Sequence, residues 1–226
     1  MFYERIVPGV FISRPNRFIA NVLIGGVPRV CHVKNTGRCA ELLVKGATVY
    51  LQSSLSGNRK TAYDLIAVIK NGLMINMDSA APNAVFGEWL RAGGMGFIPE
   101  YVKPECTYGN SRFDFYFEHD GKKCFAEVKG VTLENDNIVR FPDAPTARGV
   151  KHLYGLSDAV REGYEAYAVF VVQLEGAVCL EPNYATHKEF GEAMKYARDN
   201  GVKLIAYECS VTENRLDISR EIEIKL

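Results

Sequence analysis

The sequence predicts an α/β protein of two domains, an N-terminal β-barrel followed by a mixed sheet that is covered by helices. Two observations predict this fold class. In residues 1–79, short apolar runs are separated by turn residues, as in a small closed barrel of the oligonucleotide-binding (OB) type. In residues 80–226, a β-meander is followed by helices that alternate with strands, which is typical of a mixed sheet in an α/β domain.

The barrel prediction depends on short strands, one short helical piece and two hairpin turns. Gly25-Gly26 and Asn71-Gly72 are two-residue turn sequences that stand between apolar runs. The apolar piece Ala40–Val44 is long enough for a single helical turn. The predicted strands are Val10–Ser13, Phe18–Ile24, Val27–His32, Thr48–Gln52, Tyr63–Ile69 and Leu73–Ile75.

The second domain is predicted to begin with a helix over Ala81–Arg91. Apolar residues recur there on one helical stripe, Pro82 stands near the start, and Gly93-Gly94 follows the end. Two further helices are predicted at Thr146–Glu162 and Tyr184–Asn200. The predicted strands are Glu105–Tyr108, Arg112–Glu118, Lys123–Leu133, Asn137–Phe141, Glu165–Gln173, Ala177–Leu180 and Lys203–Cys209.

Charge is distributed unevenly along the chain, although the net charge is zero. Residues 1–77 carry ten basic and three acidic side chains, a net charge of +7, and the remainder carries −7. A basic module joined to an acidic one is typical of a nucleic-acid-binding domain fused to a carboxylate-bearing catalytic domain. The alternative is that the two halves simply attract each other and pack together.

Composition argues against several other classes of protein. No apolar run approaches the roughly 18 residues of a membrane span, and the N-terminus lacks a basic segment followed by a long apolar run. We therefore expect a cytoplasmic protein without a membrane partner. The six cysteines stand singly, without a C-x-x-C pair or a histidine at zinc-ligand spacing, so we expect reduced and mostly buried thiols.

Three charged residues in two predicted strands carry the main functional prediction. Asp114 interrupts an aromatic run, and Glu127 and Lys129 stand two residues apart, which puts both side chains on one face of a strand. If the two strands pair through the turn at His119-Asp120-Gly121, Asp114 joins that face. Two carboxylates can then hold Mg²⁺ or Mn²⁺, and the lysine can orient a water or stabilise charge on a phosphate. This set suits phosphodiester hydrolysis.

Two other residues extend this prediction, and one alternative competes with it. Glu88, on the preceding helix, is a candidate third metal ligand, and Gln173 is a candidate polar neighbour at the end of its strand. An acidic residue followed by E-x-K is common by chance, however, so an ordinary solvated salt bridge between Glu127 and Lys129 remains an alternative.

Basic residues in two regions are candidates for contacts with DNA phosphates. Arg148, Lys151 and His152 form one edge of a predicted helix, although His152 is equally consistent with a buried structural role. Basic residues beside polar and aromatic turns occur in the first domain, as in single-strand binders, although solvated loops look the same. The full set of candidates is Arg14, Arg17, Lys34, Asn35, Arg38, Arg112, Arg148, Lys151 and His152.

The chain also resembles the sugar fermentation stimulation protein A (SfsA) family over nearly its whole length. Four blocks in the same order carry this resemblance: Lys34–Arg38, Tyr108–Phe115, Glu127–Leu133 and Phe141–Leu153. The resemblance implies an N-terminal OB barrel, a C-terminal domain similar to PD-(D/E)XK nucleases, and DNA binding linked to regulation of sugar-utilisation genes. It also implies metal ligands at Asp114 and Glu127, an active Lys129, and Glu88 as the helix carboxylate. The chain has Gly130 where serine is usual in the family.

The sequence therefore supports two main hypotheses for function. The first is a DNA-binding enzyme with a Mg²⁺-dependent deoxyribonuclease site; the second is a DNA-binding regulator of sugar (maltose) metabolism genes that does not cleave its target. A sugar-binding regulator is a third idea, suggested only by the family name. Single-stranded and duplex DNA are both left open as partners, as is a homodimer.

Overall fold

The computed structural model describes residues 1–35, 37–54 and 60–226, in which the chain forms two sheets and three helices. Thr36, in the predicted basic loop, lies outside these residues. The first sheet contains β1 (Ile6–Asn16), β2 (Ile19–Ile24), β3 (Val27–Val33), β4 (Thr48–Ser53), β5 (Tyr63–Lys70) and β6 (Leu73–Asn76). The remaining elements are α1 (Ala81–Arg91), β7 (Tyr101–Tyr108), β8 (Ser111–His119), β9 (Lys122–Val131), β10 (Leu133–Asn135), β11 (Ile138–Phe141), α2 (Ala147–Arg161), β12 (Glu165–Val172), β13 (Cys179–Pro182), α3 (Lys188–Asp199), β14 (Lys203–Val211) and β15 (Leu216–Ile224).

The first five strands close into the predicted barrel. Their order is β3-β2-β1-β4-β5, and a parallel pairing between β3 and β5 closes the sheet, while β6 extends it. Both predicted hairpin turns have positive φ at their two central residues, which is the backbone that type I′ turns require. The predicted helical piece after β3 is instead a hydrogen-bonded turn, in which the Leu42 and Leu43 amides donate to the Cys39 carbonyl. It buries Leu42 completely in the barrel.

The second sheet confirms the predicted mixed architecture. Its order is β10-β11-β13-β15-β14-β12-β9-β8-β7, with parallel pairing of β12 to both β9 and β14. Alternate residues of β12 enter two different cores: Phe170 packs with residues of α2 and α3, whereas Val169 packs with residues of α1. The helices therefore cover opposite faces of the sheet. No helix in the described part of the chain is long and apolar enough to cross a bilayer.

The last strand, β15, is absent from the sequence prediction. Apolar residues alternate with polar ones from Leu216 to Ile224 except at Arg220, a charged residue at an apolar position of the pattern, beside a bulge in the pairing with β14. Arg220 donates to Glu208, a buried carboxylate on β14 that also accepts the amide of Ala177. The ion pair thus accounts for the one charged residue that interrupts the apolar alternation of the strand.

The two domains are joined by a buried polar contact as well as by the chain. The Asn76 amide donates to the Gln173 carbonyl at 2.9 Å, and Gln173 Nε2 donates to Asn76 Oδ1 at 2.9 Å and to the Asp78 carbonyl at 3.1 Å. Tyr3 Oη accepts from the side chain of Asn76 at 3.1 Å. The bonds between Gln173 and residues 76 and 78 are buried, so they hold the barrel against the carboxyl end of β12 in the second sheet.

Candidate active site

Asp114 lies where β8 separates from β9. The two strands pair from His119 opposite Lys122 to Phe115 opposite Ala126, and β8 then continues in pairing with β7. Asp114 is the next residue of β8 beyond the last pair, in the fork where β8 and β9 diverge. Its Oδ2 accepts the backbone amide of Val128 at 2.8 Å, and its Oδ1 accepts Nδ2 of Asn83, on α1, at 2.9 Å.

Glu127 lies beside this fork on β9 and is only 4% exposed. Its Oε1 accepts from Lys129 Nζ at 2.5 Å and from Nδ1 of His152, a buried residue of α2. Its Oε2 is buried and has no hydrogen-bond partner among the described residues. A buried carboxylate oxygen without a partner is costly, so this atom could accept a cation.

The hydrogen bonds around His152 assign its tautomer. Arg148 Nε donates a hydrogen bond to His152 Nε2 at 3.4 Å, so Nε2 is an acceptor and the ring proton that faces Glu127 is on Nδ1. His152 therefore donates to Glu127 and holds the carboxylate in one orientation. The sequence prediction that His152 contacts DNA is corrected here: its side chain is buried beneath the helix and contacts the candidate metal ligand instead.

The surroundings shift the pKa values of the two carboxyl groups in opposite directions. Burial raises the pKa of Asp114, as does the charge of Glu127, while bonds from Val128 and Asn83 act against this. Burial also acts to raise the pKa of Glu127, but the hydrogen bond from His152 and the ammonium of Lys129 outweigh it, so the pKa is lowered. Glu127 is therefore held ionised, and a cation beside both groups would relieve their repulsion.

Glu88 does not join this group. Its carboxylate lies 2.9 Å from the N-terminal ammonium of Met1, and its side chain is 61% exposed. The helix position that faces the site belongs to Asn83; five residues further along a helix is a rotation of about 140° to another face. Asn83 was not among the predicted site residues, because its amide is neutral and reaches Asp114 only in the folded chain.

Three of the predicted DNA-binding residues have structural roles around the loop that follows β3. The Arg14 guanidinium donates to the carbonyls of Arg17, Asn35 and Arg38, so it braces the loop rather than facing solvent. Lys34 Nζ lies 2.5 Å from Asp78, which is fully buried, and Asn35 Nδ2 donates to the Met77 carbonyl at 2.9 Å. Arg14, Lys34 and Asn35 therefore have structural partners, and their contact with DNA stays a prediction.

The other predicted basic residues are exposed. Arg17 lies over the ring of Phe18 at 4.7 Å, and both are exposed on the barrel. Lys151 donates to the Asn110 carbonyl at 2.6 Å, which leaves its charge at the surface. The exposed predicted residues are Arg17, Arg38, Arg112, Arg148 and Lys151.

A second cluster of potential metal ligands lies at the other end of β9. His119, Cys124 and Glu165 have ligand atoms within 4.8 Å of one another. The carboxylate of Glu165 is already bound by Lys122 at 2.7 Å, by Lys203 at 2.8 Å and by the hydroxyl of Tyr167. Burial acts to raise the pKa of Glu165, but these three donors outweigh it and lower the pKa to about 2. We interpret the group as an ion-pair cluster. All six cysteines are free thiols, as expected.

Replacing Glu165 with glutamine is expected to lower the free energy of unfolding by about 1 to 3 kcal/mol at pH 7. The folded-state pKa lies below the ordinary value of 4.5, so this stabilisation is complete above that value and is lost as the pH falls toward about 2. Urea unfolding of the wild type and of Glu165→Gln between pH 7 and pH 3 would measure the difference in their free energies of unfolding, which is expected to become smaller as the pH falls. Glu175→Gln, at an exposed position, is the matched control. A difference that does not change with pH would contradict the role of the carboxylate charge.

Comparison with known proteins agrees with this architecture. Residues 12–77 match the model of the SfsA N-terminal OB domain, and residues 80–215 match that of the sugar fermentation stimulation protein RE domain. Sugar fermentation stimulation protein homologs of Clostridium beijerinckii and Ruminiclostridium cellulolyticum are 54% and 50% identical, and each alignment covers all of both chains. The structure of Pyrococcus furiosus SfsA in complex with Ca²⁺ is similar over all of this chain and 98% of that one, with a TM-score of 0.90 at 25% identity.

The OB-type barrel, the mixed sheet that follows it and the full-length similarity to these relatives all agree. The family resemblance predicted from the four sequence blocks is confirmed. The chain belongs to the sugar fermentation stimulation protein A family.

Proposed function

We propose that the protein is a DNA-binding, metal-dependent nuclease whose active site contains Asp114, Glu127 and Lys129. The single observation that carries the proposal is that the two carboxylate oxygens of Glu127 have different surroundings. One oxygen is held by Lys129 and His152, and the other is buried with no partner among the described residues. A carboxylate held in this way is prepared for a ligand that the chain itself does not supply.

A hard divalent cation such as Mg²⁺ or Mn²⁺ suits these donors best. Asp114 and Glu127 offer only oxygen, and Mg²⁺ takes few protein carboxylates and completes its shell with water and substrate phosphate. The Pyrococcus furiosus relative was solved in complex with Ca²⁺, another oxygen-seeking ion. When bound, the metal would lower the pKa of a water and neutralise charge on the phosphate.

The protein's own groups would position the reaction. Asn83 and the Val128 amide fix Asp114, and His152 fixes Glu127, so both ligands are oriented before substrate arrives. Lys129 is partly accessible, with its ammonium already turned toward the carboxylates. In hydrolysis a water oxygen bonds to phosphorus as the water gives up a proton, the bond to the leaving oxygen breaks, and the leaving oxygen takes up a proton. The Lys129 ammonium would orient the water or stabilise negative charge on the phosphate.

DNA is the substrate that the charge distribution favours. The exposed basic residues Arg17 and Arg38 lie on the barrel, and Arg148 and Lys151 lie on α2, beside the residue that holds Glu127. A phosphate backbone bound by both groups would cross the domain junction near the active site. This substrate would place the protein in the cytoplasm, with the chromosome.

A second candidate is a DNA-binding regulator of sugar-utilisation genes that does not cleave DNA. The name shared by the relatives, sugar fermentation stimulation protein, favours it. The same basic surface would serve, since phosphate contacts are independent of hydrolysis. A site that retains its carboxylates can also bind without catalysis.

A cleavage assay separates the two candidates. Wild-type protein is incubated with labelled single-stranded, duplex and branched DNA in Mg²⁺, Mn²⁺ or EDTA. Lys129→Met is expected to reduce the cleavage rate by about 10²- to 10³-fold, because the ammonium is a preorganised charge at the reacting phosphate. Glu88→Gln, a carboxylate outside the site, is the control and is expected to cleave at the wild-type rate.

Metal-dependent products that are lost in Lys129→Met would support the nuclease. Binding without products in any metal would instead favour the regulator. Equal rates for wild type and Lys129→Met would exclude this lysine from the reaction.

A further inference from the structure

A pocket of about 380 Å³ lies at the junction of the two domains. The barrel contributes Asn35 and Gly37, and the second domain contributes Gln173, the backbone after Lys129 and the segment between β11 and α2. This volume is at the lower end of the range for small-molecule sites, roughly 300 to 1,000 Å³. It suits a single nucleotide unit rather than a double helix.

The pocket adjoins the candidate active site along two elements. Gly130, which lines it, follows Lys129 directly on β9. Pro82, which a side chain at Gly130 would meet, precedes Asn83, the residue that holds Asp114. A Cβ at position 130 would lie 2.5 Å from Gln173 Oε1 and 2.6 Å from Pro82 Cγ, so glycine allows these groups to approach the strand.

Gln173 presents a fixed hydrogen-bond acceptor to the pocket. The residue is 2% exposed, and both of its Nε2 bonds are made across the domain junction to Asn76 and Asp78. Its Oε1 accepts no hydrogen bond within the described part of the chain. Because the amide cannot rotate without losing two buried bonds, this acceptor is preorganised for a donor on a ligand.

The electrostatics of the pocket favour a base over a phosphate. The carboxylate of Asp143 lines it, and Arg140 is paired with Glu181 at 3.0 Å. A phosphate would meet an anion and a cation that is already neutralised. An amino or imino group on a base edge would instead donate to Gln173 Oε1 or to Asp143.

The walls of the pocket also provide the apolar surface that a nucleobase requires. Leu133, Phe141, Pro142 and Pro145 provide apolar surface, and the planar faces of nucleobases pack against such surface when they are unstacked. We infer that this pocket binds one unpaired nucleobase beside the scissile phosphate, so that the substrate is single-stranded or carries an unpaired nucleotide there. The inference rests on the proposed nuclease function for the position of the cut.

The test compares two tryptophan variants of the full-length protein. Ala144 lines the pocket, so Ala144→Trp would fill it, whereas Ala147→Trp adds the same ring at an exposed position outside its lining. The probes are a fluorescent single-stranded 20-mer, the same strand with every base removed, and the blunt duplex. Affinity is measured in Ca²⁺ and cleavage in Mg²⁺. Thermal unfolding verifies that both variants are folded.

Wild type and Ala147→Trp are expected to bind the intact single strand about 10-fold more tightly than either other probe, a typical effect of one stacked base. Ala144→Trp is expected to lose most of this preference. Since Phe18 on the barrel also offers an exposed ring, the comparison between the two variants isolates the pocket. An unchanged preference in folded Ala144→Trp would overturn the inference.

Cleavage data distinguish the failure of the pocket from the failure of the proposed function. Equal Mg²⁺-dependent cleavage of the single strand and the duplex by wild type would overturn the base pocket and leave the nuclease intact. A binding preference that Ala144→Trp abolishes, with no cleavage of any probe, would support the pocket and overturn the nuclease.

Discussion

Glu127→Gln is expected to reduce metal-dependent DNA cleavage by at least about a thousandfold, because it removes a charged ligand from a site that depends on the metal to activate water and neutralise phosphate. The substituted amide is nearly the same size as the carboxylate. At the position of Oε2 the amide would offer the metal an uncharged and weaker oxygen ligand, or no ligand if its NH₂ group lies there. Asp114→Asn is expected to act in the same direction, since the amide removes the charge that the fork between β8 and β9 positions.

Single-turnover cleavage in Mg²⁺ measures this effect, and DNA affinity in EDTA shows whether binding survives. We expect the affinity to stay within about twofold of wild type, since neither residue belongs to the exposed basic surface. Glu88→Gln is again the matched carboxylate control. A Glu127→Gln protein that cleaves at the wild-type rate would remove Glu127 from the metal site.

His152→Leu is expected to weaken the binding of Mn²⁺ or Ca²⁺ by about 10- to 100-fold, the usual effect of losing a group that orients a metal ligand. The leucine fills similar space but cannot donate to Glu127, so the carboxylate is free to turn its open oxygen away from the site. His152→Asn should restore much of the affinity, because its amide can donate from nearly the position of Nδ1. Calorimetric titration of each purified variant with the metal alone measures this directly.

The asparagine variant separates positioning from packing. Both substitutions disturb the packing of α2 near Phe113, so a purely structural role would weaken metal binding in both variants alike. A rescue in His152→Asn assigns the effect to the hydrogen bond. Equal losses in the two variants, with matching decreases in thermal stability, would contradict a role for His152 in orienting Glu127.

The barrel and the order of the elements were predictable because they depend on neighbouring residues. Strand alternation and the turns at Gly25-Gly26 and Asn71-Gly72 are local properties, and the helix Ala81–Arg91 was predicted to the residue. The period of two that puts Glu127 and Lys129 on one face is equally local. The strand β15 was not predicted although its residues alternate, because Arg220 interrupts the pattern and its partner Glu208 is brought to it only by folding.

The rest of the candidate site depends on contacts between residues that are distant in sequence. His152 and Glu127 are 25 residues apart, Asn83 and Asp114 are 31 apart, and Gln173 and Asn76 are 97 apart. No periodic pattern encodes such pairs, since whether a polar side chain faces solvent or a buried partner depends on which elements pack together. The sequence therefore predicted the acidic pair and the lysine, whereas folding made His152 a partner of Glu127, turned Glu88 away, and gave Arg14 and Lys34 structural partners within the first domain.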